Sequence, residues 1–123
     1  MELNVALKGM LTSEAKLRTP EGVNQPVYMS AHMMRLSQYT GAVEERLAEY
    51  ERNFEVEYAH LMKEYLIDKK MKVTQAERMV DIETAELKGQ IKYLTRLVSS
   101  AWRQTGIIQS RINHLVKEAG TQI

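Results

Sequence analysis

The chain has 123 residues, 44% hydrophobic and 27% charged, which is room for one ordinary domain and excludes wholesale disorder. Its 17 Lys and Arg against 16 Asp and Glu leave a net charge of +1, which excludes a histone-like polycation. The lack of cysteine removes disulfides, thiolate catalysis and Cys-based zinc sites together.

The opening stretch, MELNVALKGML, lacks the long apolar core of a signal peptide, and no later stretch reads as a membrane span. A soluble, cytoplasmic protein with no membrane partner is expected. Residues 1–25 form an N-terminal arm with one short helix over about 3–11. Turn chemistry then falls at Thr19-Pro20-Glu21-Gly22 and Asn24-Gln25-Pro26. No proline follows Pro26. Proline suits a first helical position and disrupts an interior, so a long helix is predicted to start there.

Over residues 26–67 the apolar positions are Leu36, Tyr39, Val43, Leu47, Tyr50, Phe54, Tyr58, Leu61 and Tyr65, at steps of three and four. That is helical spacing close to an eleven-residue repeat. Thr40-Gly41 marks a place where this helix can kink. Residues 68–73 are polar and without periodicity, a turn. Thr74 and Glu77 have the spacing of a capping box, so a second helix is expected over about 74–119, closed by Gly120 as its C-terminal cap. Its apolar positions are Leu87, Ile91, Leu94, Val98, Ala101, Thr105, Ile108, Ile112, Leu115 and Ala119, alternating by four and three as in a coiled coil. Gly89 and Gly106 sit inside it at a cost of about 1 kcal/mol each, unless close helix contact repays them.

No stretch alternates as a strand does. The expected fold is all-α: the arm, then residues 26–123 as a long antiparallel, coiled-coil-like helical hairpin. Met29, Met33, Met34, Ile67, Leu97 and Trp102 fall outside the two stripes. A lone hairpin would leave them wet, so association with copies of itself, a homo-oligomer, is expected.

The near-zero net charge conceals an uneven distribution. Residues 43–68 hold eight acids and three bases, whereas residues 69–123 hold ten bases and five acids. Between Lys88 and Lys117 there is no acid at all, and Lys88, Lys92, Arg96, Arg103, Arg111 and Lys117 fall within about 140° of a helical wheel. The apolar residues centre roughly opposite. Lys69, Lys70 and Lys72 add charge in the turn. Solvated helix faces usually mix signs for pairing one turn apart. A purely cationic face can instead track phosphates, or complement the acidic first helix of a neighbour. Tyr93 and Trp102 flank this face as candidates for base stacking, and Trp102 equally suits an oligomer contact. The tyrosine ladder of the first helix shares the register of its core stripe and is assigned to the core.

Glu57-Tyr58-Ala59-His60 has the Glu-x-x-His spacing of di-iron bundles, but such sites need a second copy and two more glutamates. It reads as a surface pair, and no metal or cofactor site is expected. His32 and His114 have no partner at ligand spacing. With no phosphate loop, dinucleotide fingerprint or nucleophile elbow, the chain reads as a non-enzyme.

The order of parts resembles the phage UvsY-type recombination mediators. LNVALKGML precedes the Lys16-Leu17 dipeptide of SEAKLRTPEGVNQ. A long Glu-rich helix, a loop and a helix beginning TQAE follow. The chain closes with an Ile-x-x-Arg-Ile-x-x-Leu run at 108–115 and with Glu118-Ala119-Gly120. The resemblance implies a homo-oligomeric, ring-like helical protein that binds single-stranded DNA in a bacterial host cell. It also implies a partnership with a RecA-like recombinase, which such mediators help to replace single-strand-binding protein on DNA during recombination, repair and replication. In that family a basic stretch ahead of paired tyrosines in the first long helix is implicated in DNA binding. The matching stretch here, residues 57–65, offers only Lys63 and a protonated His60. The DNA-binding residues are therefore expected from charge geometry to be Lys69, Lys70, Lys72, Lys88, Lys92, Arg96, Arg103, Arg111 and Lys117. The rival reading is a structural or chaperone-like coiled-coil assembly protein without affinity for nucleic acid.

Overall fold

A computed structural model describes residues 1–19 and 25–121. Most of the turn expected between Thr19 and Pro26 lies outside them. The described residues are all-helical, with no strand among them. Four α-helices run in order: α1 (Leu3–Leu17), α2 (Pro26–Lys63), α3 (Val73–Glu83) and α4 (Ala85–Thr121). A π-helical turn over Glu64–Asp68 follows α2 directly. The chain divides into two compact units, one of Met1–Glu45 with Arg96–Ile123, the other of Arg46–Thr95.

In the first unit α1 is longer than the sequence suggests, reaching Leu17 rather than about residue 11. It buries Ala6, Met10, Ser13 and Leu17, a seam at steps of four and three. Thr19 closes its C-terminus, its hydroxyl donating to the Lys16 carbonyl at 2.6 Å. α2 starts at Pro26, where a missing N–H costs nothing, and the Gln25 carbonyl accepts from Met29 N–H at 2.8 Å. Met29, His32, Leu36, Thr40 and Val43 are its buried residues here. Helix assignment is unbroken through Thr40-Gly41, and the buried Thr40 hydroxyl donates to the Leu36 carbonyl at 2.6 Å. From α4 come Val98, Ala101, Ile108 and Ile112, on the expected stripe. Met29, one of the residues expected to stay wet, is 1% exposed, whereas Met34 is 61% exposed.

α1 and α2 meet closely at Gly9. A side chain started there would lie 2.5 Å from ring carbons of Tyr39, so only glycine lets the tyrosine lie flat on the α1 backbone. At Gly89 and Gly106, by contrast, nothing lies within 4 Å of where a side chain would begin. No close contact among the described residues repays their cost.

In the second unit the core is Tyr65, Ala76 and Val80, with Tyr58, Leu61, Met62, Leu66 and Met71 against them. The Tyr65 hydroxyl donates to the Glu83 carboxylate. That hydrogen bond, then burial and the charges of Glu83 and Glu64, push the phenol up to about 12. The polar stretch between the helices turns tightly: Lys69 N–H donates to Glu64 O at 3.1 Å and Met71 N–H to Tyr65 O at 2.9 Å. Such a turn needs a left-handed residue, and Lys70 supplies it with φ of 50°. A side chain there costs about 1–2 kcal/mol relative to a right-handed conformation, and glycine relieves most of it. Lys70→Gly is therefore expected to stabilise the protein by about 1 kcal/mol, read as a higher urea midpoint at unchanged slope.

Three expected boundaries need correction. The capping box is not made: α3 starts at Val73, Lys72 is the N-cap residue, and no side chain caps it. The second helix is interrupted at Thr84, which is buried and donates its hydroxyl to the Val80 carbonyl at 2.7 Å. The same bond at Thr40 leaves α2 unbroken, so at Thr84 it accompanies the break without being its whole cause. Gly120 does not terminate α4, which continues to Thr121, and no described glycine has positive φ.

Candidate nucleic-acid interface

Each unit carries its own exposed cations. In the Arg46–Thr95 unit, Lys69, Lys70 and Lys72 sit on the turn, and Lys88 and Lys92 lie one helical turn apart on α4, all exposed. Lys69 is partly committed, since its Nζ lies 3.8 Å from Glu64 and 4.7 Å from the centre of the Tyr65 ring. Lys88 and Lys92 line a shallow cleft of about 370 Å³ with Ile91, Phe54, Glu51 and Glu55. Neither lysine comes within ion-pair distance of a carboxylate among the described residues. The acids nonetheless share their cleft, a juxtaposition invisible in the wheel. Tyr93 is 61% exposed on the same stretch of helix.

In the other unit, Arg96, Arg103, Arg111 and Lys117 are exposed on α4. Arg96, Arg103 and Lys117 make no ion pair among the described residues. Nearby, His114 Nε2 lies 2.9 Å from a Glu118 carboxylate oxygen. Trp102 is less free than the sequence suggests, because its indole N–H donates to the Glu44 carboxylate of α2. That bond fixes the ring orientation and leaves 38% of the residue exposed.

Glu57 and His60 are both exposed, and no three His, Asp or Glu among the described residues are placed to hold a metal ion. No helix among those residues is long and apolar enough to cross a membrane.

A second basic group escaped the sequence reading. Lys8 and Lys16 of α1 and Arg35 of α2 line a groove of about 530 Å³ between the two helices. His32 also lines it, 6% exposed and against the Tyr28 ring, with 4.3 Å between ring centres and the planes tilted by 58°. Its Nδ1 is buried with no hydrogen-bond partner among the described residues. Burial, and then the charges of Lys16 and Arg35, lower its pKa from the usual 6.5, so the ring is neutral at physiological pH. The spacing of Lys8 and Lys16 was available in the sequence. That α1 extends far enough to set Lys16 against α2 was not.

Comparison with family models, with curated proteins and with solved structures found no match.

Proposed function

We propose that this chain is a single-stranded DNA-binding recombination mediator. In this reading it assembles with copies of itself, ring-like in the implied family, and helps load a RecA-like recombinase onto DNA covered by single-strand-binding protein. It acts through binding alone, without catalysis or a cofactor. The observation that carries the reading is the set Lys88, Lys92, Arg96, Arg103 and Lys117. All are exposed and none is ion-paired among the described residues, on a stretch of 30 residues that contains no acid. An oligomer multiplies such weak cationic surfaces into one of high avidity.

The hairpin is part of the same proposal. It is supported within each unit by antiparallel partners: Tyr65 with Glu83 in one, and Glu44 with Trp102 in the other. Self-association is supported by exposed apolar residues on several helices, among them Val27, Met34, Ile82 and Ile107.

The test is fluorescence anisotropy with labelled oligo-dT over a salt series, beside light scattering for mass. Five neutralised phosphates on a single strand give a slope of log K against log salt of about −3.5. Binding that weakens steeply with salt, by a particle heavier than one chain, is the expected result. Oligomers without affinity at low salt would establish the second reading, a coiled-coil assembly protein. That reading draws on Glu51 and Glu55, which share a cleft with Lys88 and Lys92.

A further inference from the structure

We propose that the groove between α1 and α2 is a phosphate-binding site, with Lys8, Lys16 and Arg35 supplying charge and His32 a hydrogen bond. The site lies wholly within the unit of Met1–Glu45 with Arg96–Ile123 and does not require the α4 cations to bind DNA.

Three observations converge on it. The first is charge: three cations line the groove and no carboxylate does, so the local field stays positive and unpaired among the described residues. Lys8 and Lys16 are exposed, as is Arg35, and none of the three makes an ion pair there. The second is the orphaned imidazole. A polar atom buried without a partner is costly, and structures rarely keep one without a reason. With its proton on Nδ1, neutral His32 donates to an anion once the ring turns that covered atom toward the groove, and it remains uncharged beside Lys16 and Arg35. The third is chemical match. Arg35 offers a planar fork of donors, the lysines act as point charges, and Thr12 and Ser13 add hydroxyl-bearing residues to the wall. Tetrahedral oxyanions of high charge fit that set better than a monocarboxylate, which would leave two cations unsatisfied.

The close approach of the helices belongs to the same design. Gly9 lets the Tyr39 ring settle on α1, and both residues line the groove. The phosphate can belong to a free compound or to a polynucleotide backbone. Its oxygens present the same chemistry in either case.

The test uses the full chain and inorganic pyrophosphate, titrated by calorimetry at low ionic strength with chloride matched for ionic strength as control. Saturable binding is expected, with the His32 imidazole resonances shifting on titration. Lys16→Gln with Arg35→Gln should weaken pyrophosphate at least tenfold, while Arg52→Gln with Arg78→Gln, at exposed positions outside both basic groups, leaves it unchanged. Both double variants alter exposed side chains, and circular dichroism confirms that they fold. Oligo-dT then separates the sources. If its affinity falls in the Lys16→Gln, Arg35→Gln protein, the groove holds a backbone phosphate; if only pyrophosphate weakens, it serves a free compound. Absence of saturable pyrophosphate binding, or equal loss in both double variants, overturns the proposal, whatever the oligo-dT affinity of the native chain.

Discussion

Leu36→Ala is expected to cost about 2–5 kcal/mol of stability, the range for emptying a buried leucine site. Leu36 is 0% exposed, and few large side chains share its role. In the unit of Met1–Glu45 with Arg96–Ile123 the largest fully buried residues are Met29, Leu36, Val43 and Thr40. Ala6, Ser13 and Ala101 are small, while Met10, Leu17, Val98, Ile108 and Ile112 complete the buried set of this unit. A close-packed core refills a missing isobutyl group only in part, so a cavity persists and adds to the lost transfer energy. Loss of the side chain also loosens the wall behind Thr40, whose hydroxyl donates to the Leu36 carbonyl one turn back. Urea denaturation followed by circular dichroism measures the effect. Val56→Ala, at a position 65% exposed, serves as the control and should change stability by less than about 0.5 kcal/mol. A cost below about 1 kcal/mol for Leu36→Ala would show that this seam is not packed as described.

The stripes of the long helices were legible because apolar residues recur at helical spacing whatever the partner. Leu94, Val98, Ala101, Ile108 and Ile112 are all buried, as their three–four alternation requires. What was not legible depends on tertiary context. The seam of α1 is Ala6, Met10, Ser13 and Leu17, and two small residues among four give a faint periodic signal. Its extension to Leu17 is settled by packing on α2, including the contact at Gly9. The Thr74–Glu77 capping motif was legible but misleading. The turn is set by the Tyr65 and Glu83 contact and by left-handed Lys70, and the helix starts where that geometry ends. Nothing in Lys69-Lys70-Met71-Lys72 announces a left-handed residue, since glycine and asparagine are the usual signals.

The same division governs the candidate interfaces. Exposure of the α4 cations follows from their place opposite the apolar stripe, and a wheel suffices to find it. Which acids face them does not follow, because the cleft that Glu51 and Glu55 share with Lys88 and Lys92 is lined by residues far apart in the sequence. The α1–α2 groove needs both helices and their register. Its four basic residues, Lys8, Lys16, His32 and Arg35, are dispersed in the sequence among neutral and acidic ones.

Lys88→Glu with Lys92→Glu, and separately Arg96→Glu with Arg103→Glu, are each expected to weaken oligo-dT binding at least tenfold at low salt. Each cation that neutralises a phosphate releases counterions, contributing about 0.7 to the salt slope on a single strand, so each pair should flatten it by about 1.4. The two pairs belong to different units and report on them independently. They also separate the readings. If Lys88 and Lys92 serve the strand, Glu51 and Glu55 oppose it, and Glu51→Gln with Glu55→Gln should strengthen binding. If instead the four groups form a structural charge match, the glutamine pair should destabilise the fold or the assembly and leave nucleic-acid affinity untouched. The contrast is informative because the lysines are exposed and make no direct ion pair with either acid, so removing the carboxylates strands no buried charge. Unchanged affinity in both charge-reversal proteins would remove α4 from the interface and leave the assembly reading in its place.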